Sequence, residues 1–298
     1  MRRLFTAIAV VLLLLLNTLI LIGPLLLIAL GKFVLPGKAL KTRCSVGVMF
    51  IAESWAENCK LIFAAMTPTR WDIRGGEQLR QDTSYLIISN HQSWVDIPAL
   101  VQAFNRKTPY FKFFLKQQLI WVPFLGLAFW ALDYPFMKRY SKAQLEKNPQ
   151  LKGQDLEITR RACEKFRDLP VTVVNYLEGT RFTPAKREQQ QSPYRNLLKP
   201  KAGGVAFVLA ALGEQLDAIL DVTLVYPGNT APGFWKLISG QVPWVIVDIQ
   251  TLPLQPELWQ GDYQNDEQFR QYVQTWVSDL WQDKDARIDA LKQPNGPH

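Results

Sequence analysis

From Leu4 to Leu30 the chain carries no charged residue, and Val10 through Leu16 is apolar without a polar break. A helix rises about 1.5 Å per residue and a bilayer core is about 30 Å thick, so this run is long enough to cross a membrane. A cleaved signal peptide has a shorter apolar stretch and a small-residue cleavage site, which Ala29-Leu30-Gly31 resembles poorly. Gly23-Pro24 lies inside the run and is expected to kink it or divide it into a shallow hairpin. Arg2 and Arg3 flank one end; Lys32, Lys38, Lys41 and Arg43 flank the other. The balance leans towards a cytoplasmic C-terminal side, and a hairpin or in-plane anchor leaves both ends there.

Behind this anchor, residues 45–67 place Val48, Ile51, Ala52, Trp55, Cys59, Ile62 and Met66 at helical spacing. This amphipathic helix can lie on the membrane or on the domain. Arg74-Gly75-Gly76-Glu77 is a turn signal. Strands are expected at Tyr85–Ile88, Tyr110–Leu115, Val171–Leu177, 218–226 and Trp244–Gln250. Helices are expected at 94–104, Leu156–Phe166, 202–213 and 266–292, with a frayed tail. Gln118–Leu132 is strongly apolar but interrupted by Pro123 and Gly126. It reads as a buried or membrane-touching helix rather than a second span. Strands alternating with helices give an α/β fold, a mixed sheet flanked by helices. The organisation is an anchor over 1–35, an amphipathic connector over 36–70 and a catalytic domain over 71–298.

The net charge of +8 points to an anionic partner, whether a lipid surface, a nucleotide-bearing cofactor or nucleic acid. The aromatics lie in apolar runs rather than among basic residues, and no nucleic-acid-binding motif is present, so nucleic acid is not expected. Cys44, Cys59 and Cys163 are odd in number and widely spaced, which suits a reducing compartment and shows neither metal nor disulfide spacing. No Gly-x-Ser-x-Gly elbow supports a lipid hydrolase, and Ser93 has no base of its own beside His91.

Of two histidines, one is the terminal His298; the other, His91, stands in Asn90-His91-Gln92-Ser93-Trp94-Val95-Asp96 after an apolar strand. Imidazole is the side chain best suited to take a proton near neutral pH. A carboxylate on its other nitrogen fixes the tautomer and stabilises the imidazolium. On a regular helix a spacing of five puts two residues about 140° apart, so the pair meets only if His91 sits in the strand-to-helix turn. Alone, the pair reads equally well as a capping aspartate beside an ordinary loop histidine. Glu178-Gly179-Thr180-Arg181 follows the strongest strand, where α/β sheets bind ligands, and Arg181 suits a phosphate. Its bland reading is a polar turn with a Glu178–Arg181 surface pair. Lys199-Pro200-Lys201-Ala202-Gly203-Gly204 opens a helix in a manner that suits anions, or is a solvated loop. Lys116 through Gly126, followed by Lys138-Arg139, forms an apolar segment with basic ends that core packing alone would explain.

In this order, the four segments resemble the glycerolipid acyltransferase family, the PlsC-like 1-acylglycerol-3-phosphate acyltransferases, with the YihG-type enterobacterial branch nearest in pattern. The family's Asn-His-x4-Asp is matched by Asn90, His91 and Asp96. Its second motif is matched by Lys116, Leu119, Pro123, Gly126 and Arg139, its third by Glu178 to Arg181, and its fourth by Val222 to Pro227. The similarity covers roughly residues 70–230. Two departures are Tyr176-Leu177 where many members carry Phe-Pro, and Lys138 where an Asp is common.

The resemblance implies acyl transfer from acyl-CoA or acyl-ACP to the sn-2 hydroxyl of lysophosphatidic acid, or to another lysophospholipid, at a bilayer. It implies no bound cofactor and no metal. His91 is the expected base and Asp96 its orienting acid. Arg181, with Glu178, Gly179 and Thr180, is expected at the acceptor phosphate, assisted by Lys199 and Lys201. Lys116, Arg139, Gly203 or loop N–H groups are candidates for oxyanion or donor contacts. The implied location is the bacterial inner membrane, catalytic domain in the cytosol.

Overall fold

The protein is described here from a computed structural model covering residues 1–122, 125–137, 160, 161, 163, 169–228 and 231–292. Helix α1 (Arg2–Val34) runs without a break through Pro24, so of the helix or hairpin expected over the apolar run it is the helix that forms. A proline removes one backbone hydrogen bond from a helix, and here the helix continues on the packing of its neighbours. It turns back into α2 (Lys38–Met66), which begins earlier than residue 45. The two lie antiparallel. Gly31 faces Cys44, Gly47 faces Ile28, and the Asn17 amide donates to Trp55 O at 3.0 Å.

The domain is built on a mixed six-stranded sheet. Its strands are β1 (Arg70–Arg74), β2 (Tyr85–Ser89), β3 (Phe111–Phe113), β6 (Thr172–Tyr176), β7 (Ala218–Val225) and β8 (Trp244–Pro253), in the order β1-β8-β7-β2-β6-β3. β7, β2, β6 and β3 run parallel; β8 is antiparallel to β7 and carries β1 at the edge. A two-residue pair, β4 (Leu115–Lys116) with β5 (Phe136–Met137), stands apart. Strand β1, absent from the sequence expectations, alternates charge with Trp71 and Ile73 and so lacks the apolar run that marks the central strands.

Along β2 alternate residues serve two cores, as a pleated strand covered on both faces requires. Tyr85 and Ile87 join the cluster holding α3 (Asp96–Phe104), while Leu86 and Ile88 join the one holding α6 (Ala202–Leu212) and α8 (Glu267–Lys292). Two short helices, α5 (Pro184–Gln189) and α7 (Phe234–Ile238), complete the frame. The expected helix over Gln118–Leu132 is instead a 3-10 turn (Gln117–Trp121) and α4 (Leu125–Ala131). It is not buried throughout: Trp121 and Leu127 are exposed. Most of the expected helix Leu156–Phe166, together with Pro123, Lys138, Arg139 and the tail, lies outside the described residues.

Helix α1 lies along this domain rather than away from it. Ala7 and Val10 share a core with Leu237 and Ile238 of α7, and Leu25 and Ala29 share another with Ala131 and Leu132. Its opposite face leaves Leu12, Leu16, Leu19, Leu27, Leu30 and Phe33 exposed.

Candidate active site

Three adjacent parallel strands, β7, β2 and β6, deliver the site at their C-terminal ends, the edge where such sheets bind ligands. Asn90, directly after β2, is fully buried and grips β7, donating to Leu224 O at 2.9 Å and accepting from Leu224 N at 2.8 Å. That clamp holds the next residue, His91, at the sheet edge.

Asp96 opens α3 and is fully buried. Its Oδ2 lies 2.7 Å from His91 Nδ1 and accepts the N–H groups of Gln92 and Ser93 at 2.7 and 2.9 Å. The strand-to-helix turn therefore brings together two residues that a continuous helix would separate. Its Oδ1 accepts the Tyr226 hydroxyl at 2.5 Å. An ionised acceptor at Nδ1 requires the proton there, which leaves the lone pair on Nε2. Nε2 has no hydrogen-bond partner among the described residues, and the side chain is 18% exposed. The imidazole is stacked on Tyr176, ring centroids 4.1 Å apart.

Glu178, at the end of β6, does not face the cleft. It is fully buried, with Oε1 accepting His91 N at 2.8 Å and Oε2 accepting Leu198 N at 2.9 Å. This corrects the expectation of a phosphate contact and the bland reading of an ion pair with Arg181. Burial pushes the Glu178 carboxyl up to about 8, against the two N–H donors that favour its charged form. With the N–H groups of residues 91 to 93 all engaged by Glu178 and Asp96, none remains for an oxyanion.

Gly179 turns the chain at φ +66°, where a side chain would be strained and would meet Lys201 Nζ at 3.1 Å. Thr180 Oγ1 accepts from Lys186 Nζ at 2.7 Å, and Lys186 also donates to Arg181 O at 3.0 Å. The Arg181 guanidinium lies 4.1 Å over the Trp94 ring and has no carboxylate partner among the described residues. Three cations, Arg181, Lys186 and Lys201, thus surround one turn next to the histidine loop, whose carbonyl at His91 accepts from Phe182 N at 2.7 Å. Trp94 also walls an apolar cavity of about 440 Å³, with Trp55, Phe63, Ile97, Val101 and Phe234.

Other expected residues fall elsewhere. Lys199 is exposed, and Gly203 faces the Tyr263 ring rather than the cleft. Lys116 is exposed on β4, and its side chain makes no hydrogen bond or ion pair with a described residue. Arg139 lies outside the described residues. Residues 91 and 96 meet as the motif spacing suggests, whereas Trp94 and Lys186 carry no sequence signal for the site, and Tyr176 and Tyr226, within or beside the motifs, give no sign of their contacts to His91 and Asp96. Lys186 is legible only as the basic residue three after Thr183, which caps α5.

A family model described as Acyltransferase matches residues 70–227, just over half of the chain. A Mus musculus protein named 1-acyl-sn-glycerol-3-phosphate acyltransferase gamma is 26% identical over 192 residues, covering 61% of this chain and 46% of that one. A Homo sapiens protein named 1-acyl-sn-glycerol-3-phosphate acyltransferase delta is 25% identical, covering 59% and 44%. A Gallus gallus protein named lysocardiolipin acyltransferase 1 is 26% identical over 135 residues, covering 40% and 32%. The matches span about half or less of these curated relatives. The solved structure of the 1-acyl-sn-glycerophosphate acyltransferase PlsC from Thermotoga maritima superimposes with a TM-score of 0.53 at 16% identity, covering 94% of this chain and 98% of that one, which shows a shared fold.

Proposed function

This chain belongs to the Acyltransferase family, and from that premise we propose that it moves a fatty acyl group from acyl-CoA or acyl-ACP to the sn-2 hydroxyl of 1-acylglycerol-3-phosphate, giving phosphatidic acid. The observation that carries the reading is the His91 imidazole, held through Nδ1 by buried Asp96 with Nε2 open beside a cationic turn. In this reading Nε2 takes the proton of the acceptor hydroxyl as its oxygen attacks the thioester carbonyl. The tetrahedral intermediate collapses, the C–S bond breaks, and the imidazolium returns the proton to the leaving thiolate. No acyl-enzyme is needed; the two hydroxyls nearest in sequence, Ser89 and Ser93, are already engaged with Asn90 O and Pro232 O. Arg181, assisted by Lys186 and Lys201, receives the acceptor phosphate, and the apolar cavity beside Trp94 receives an acyl chain.

The exposed stripe of α1 supports membrane association. Because both ends of α1 pack on the domain, an in-plane seat in one leaflet suits it better than a span. Flanking basic residues add roughly 1 kcal/mol each on anionic headgroups. Acyl-CoA and acyl-ACP are cytosolic in bacteria, so we place the catalytic face on the cytosolic side of the inner membrane.

A second acceptor class, other lysophospholipids, is favoured by the similarity to a lysocardiolipin acyltransferase. The test is a mass-spectrometric assay of purified protein in micelles, offering mixed acyl-CoAs and acyl-ACPs against a panel of lysophospholipids. Transfer to lysophosphatidic acid, lost by about a thousandfold or more in His91→Ala, is expected. No transfer to any acceptor, or normal turnover by a folded His91→Ala variant, overturns the reading.

A further inference from the structure

The Asp96 carboxylate is completely enclosed, and its two oxygens are treated differently. Oδ2 receives three donors, His91 Nδ1, Gln92 N and Ser93 N, all from its own turn. Oδ1 receives one, the Tyr226 hydroxyl, from the residue directly after β7. At 2.5 Å this bond is at the short end for a hydroxyl on a carboxylate, as expected where the acceptor is ionised and water is excluded. Tyr226 is itself buried, and burial, followed by the Asp96 charge, holds its phenol well above the ordinary tyrosine range. It therefore remains a donor throughout the pH range in which a histidine works.

We propose that Tyr226 is a positioning residue that sets the basicity of His91 through Asp96, by drawing negative charge towards Oδ1 and away from the oxygen that holds the imidazole. The proposal rests on the reading of His91 as the general base. A carboxylate with no donor on Oδ1 concentrates its charge on the imidazole side, stabilises the imidazolium, and keeps the base protonated to higher pH. The charged and titratable groups facing Asp96 are few: His91 from its own loop, Tyr176 and Glu178 from the end of β6, and Tyr226 from the end of β7. Lys284 of α8 faces Glu178 from the other side of the sheet. Of these, only His91 and Tyr226 bond the carboxylate with a side chain. Removing the Tyr226 hydroxyl therefore changes one contact on Asp96, together with the hydroxyl's own bond to Ser93, and removes none of the three donors on Oδ2.

The experiment is the pH profile of kcat/KM for the full chain and for Tyr226→Phe, with thermal unfolding as the control for folding. The acid limb of the Phe variant should move up by about half to one pH unit, so that at a pH on that limb the rate falls about three- to tenfold, while the acceptor KM stays unchanged. A role in packing alone would lower the rate equally at every pH and leave the limb where it was. Replacing Tyr226 by a fluorinated tyrosine keeps the ring and makes the hydroxyl a stronger donor, so the limb should move the opposite way. If the limb does not move in either variant, the proposal is wrong while the acyltransferase reading stands. If the unaltered chain acylates no lysophospholipid, both fall together.

Discussion

Glu178 holds His91 by its backbone rather than by its imidazole: the Glu178 carboxyl group accepts the His91 N–H at 2.8 Å while its other oxygen accepts Leu198 N at 2.9 Å. The third motif therefore braces the first. A residue that the family resemblance groups with the acceptor phosphate instead ties the histidine loop to the strand beside it.

This brace is pH-dependent. Burial raises the Glu178 carboxyl to about 8 from an ordinary value of 4.5. A group that binds its proton more tightly folded than unfolded contributes stability at low pH, and that contribution is lost as pH rises from about 5 to about 8. The slope is at most about 1.4 kcal/mol per pH unit in that window. Glu178→Gln cannot titrate, so its unfolding temperature should fall less steeply across the window than that of the unaltered protein. Its overall stability should drop by about 1–3 kcal/mol for the lost acceptor. Thermal melts at fixed ionic strength measure both; parallel curves would contradict the raised carboxyl.

The cations around Gly179 should govern acceptor binding rather than turnover. Arg181→Ala is expected to raise the acceptor KM by about tenfold or more with kcat changed only a few-fold, because a phosphate away from the reacting centre is bound alike in ground and transition states. Lys186→Ala should act in the same direction and more weakly, since it also frees the Thr180 hydroxyl it now holds. Steady-state kinetics with varied acceptor and saturating donor separate the two constants. A fall in kcat at unchanged KM would move these residues from headgroup binding to the chemistry.

Much of this arrangement was legible in the chain. The buried strands of the sheet are apolar and β-branched, and their positions follow from that pattern within a few residues. His91 and Asp96 announce themselves because a lone internal imidazole with a nearby acid has few uses. The partners that tune them do not. Tyr226 and Trp94 are aromatic residues in aromatic-rich surroundings, and only strand order puts Tyr226 next to Asp96. Glu178 is grouped with the phosphate residues only by its motif, and residue type marks a charge but not its burial. The edge strand β1 depends on a tertiary partner that no local period encodes, whereas the division of 118–132 into two short pieces falls where Pro123 interrupts the apolar run.

The exposed stripe of α1 should carry membrane binding. Leu12 and Leu19 are 60% and 69% exposed, so charging them disturbs no packing within the protein. The double substitution Leu12→Glu, Leu19→Glu should lower partitioning onto vesicles containing anionic lipid by at least about tenfold, given the cost of a carboxylate in an apolar layer. Folding, followed by circular dichroism, should be unaffected. Co-sedimentation equal to that of the unaltered chain would show that another surface holds the bilayer.

Behind the sheet, α8 secures the strand that carries Tyr226 with a fully buried ion pair. Lys284 Nζ lies 2.6 Å from Asp221 Oδ1 and donates to Val222 O at 2.7 Å, with Arg287 reaching Asp221 Oδ2 at 3.0 Å. Trp281 of the same helix donates to Leu198 O, the residue whose N–H meets Glu178. Lys284→Met leaves a buried carboxylate with one cation instead of two and should cost about 3–5 kcal/mol of stability, whereas burying an intact ion pair is close to neutral against an apolar replacement. The double variant Asp221→Asn, Lys284→Met should therefore be more stable than Lys284→Met alone, a non-additivity that denaturant titration of the two single variants and the double detects. If the single losses simply add, α8 is held by its apolar face, and the charges under β7 contribute nothing as a pair.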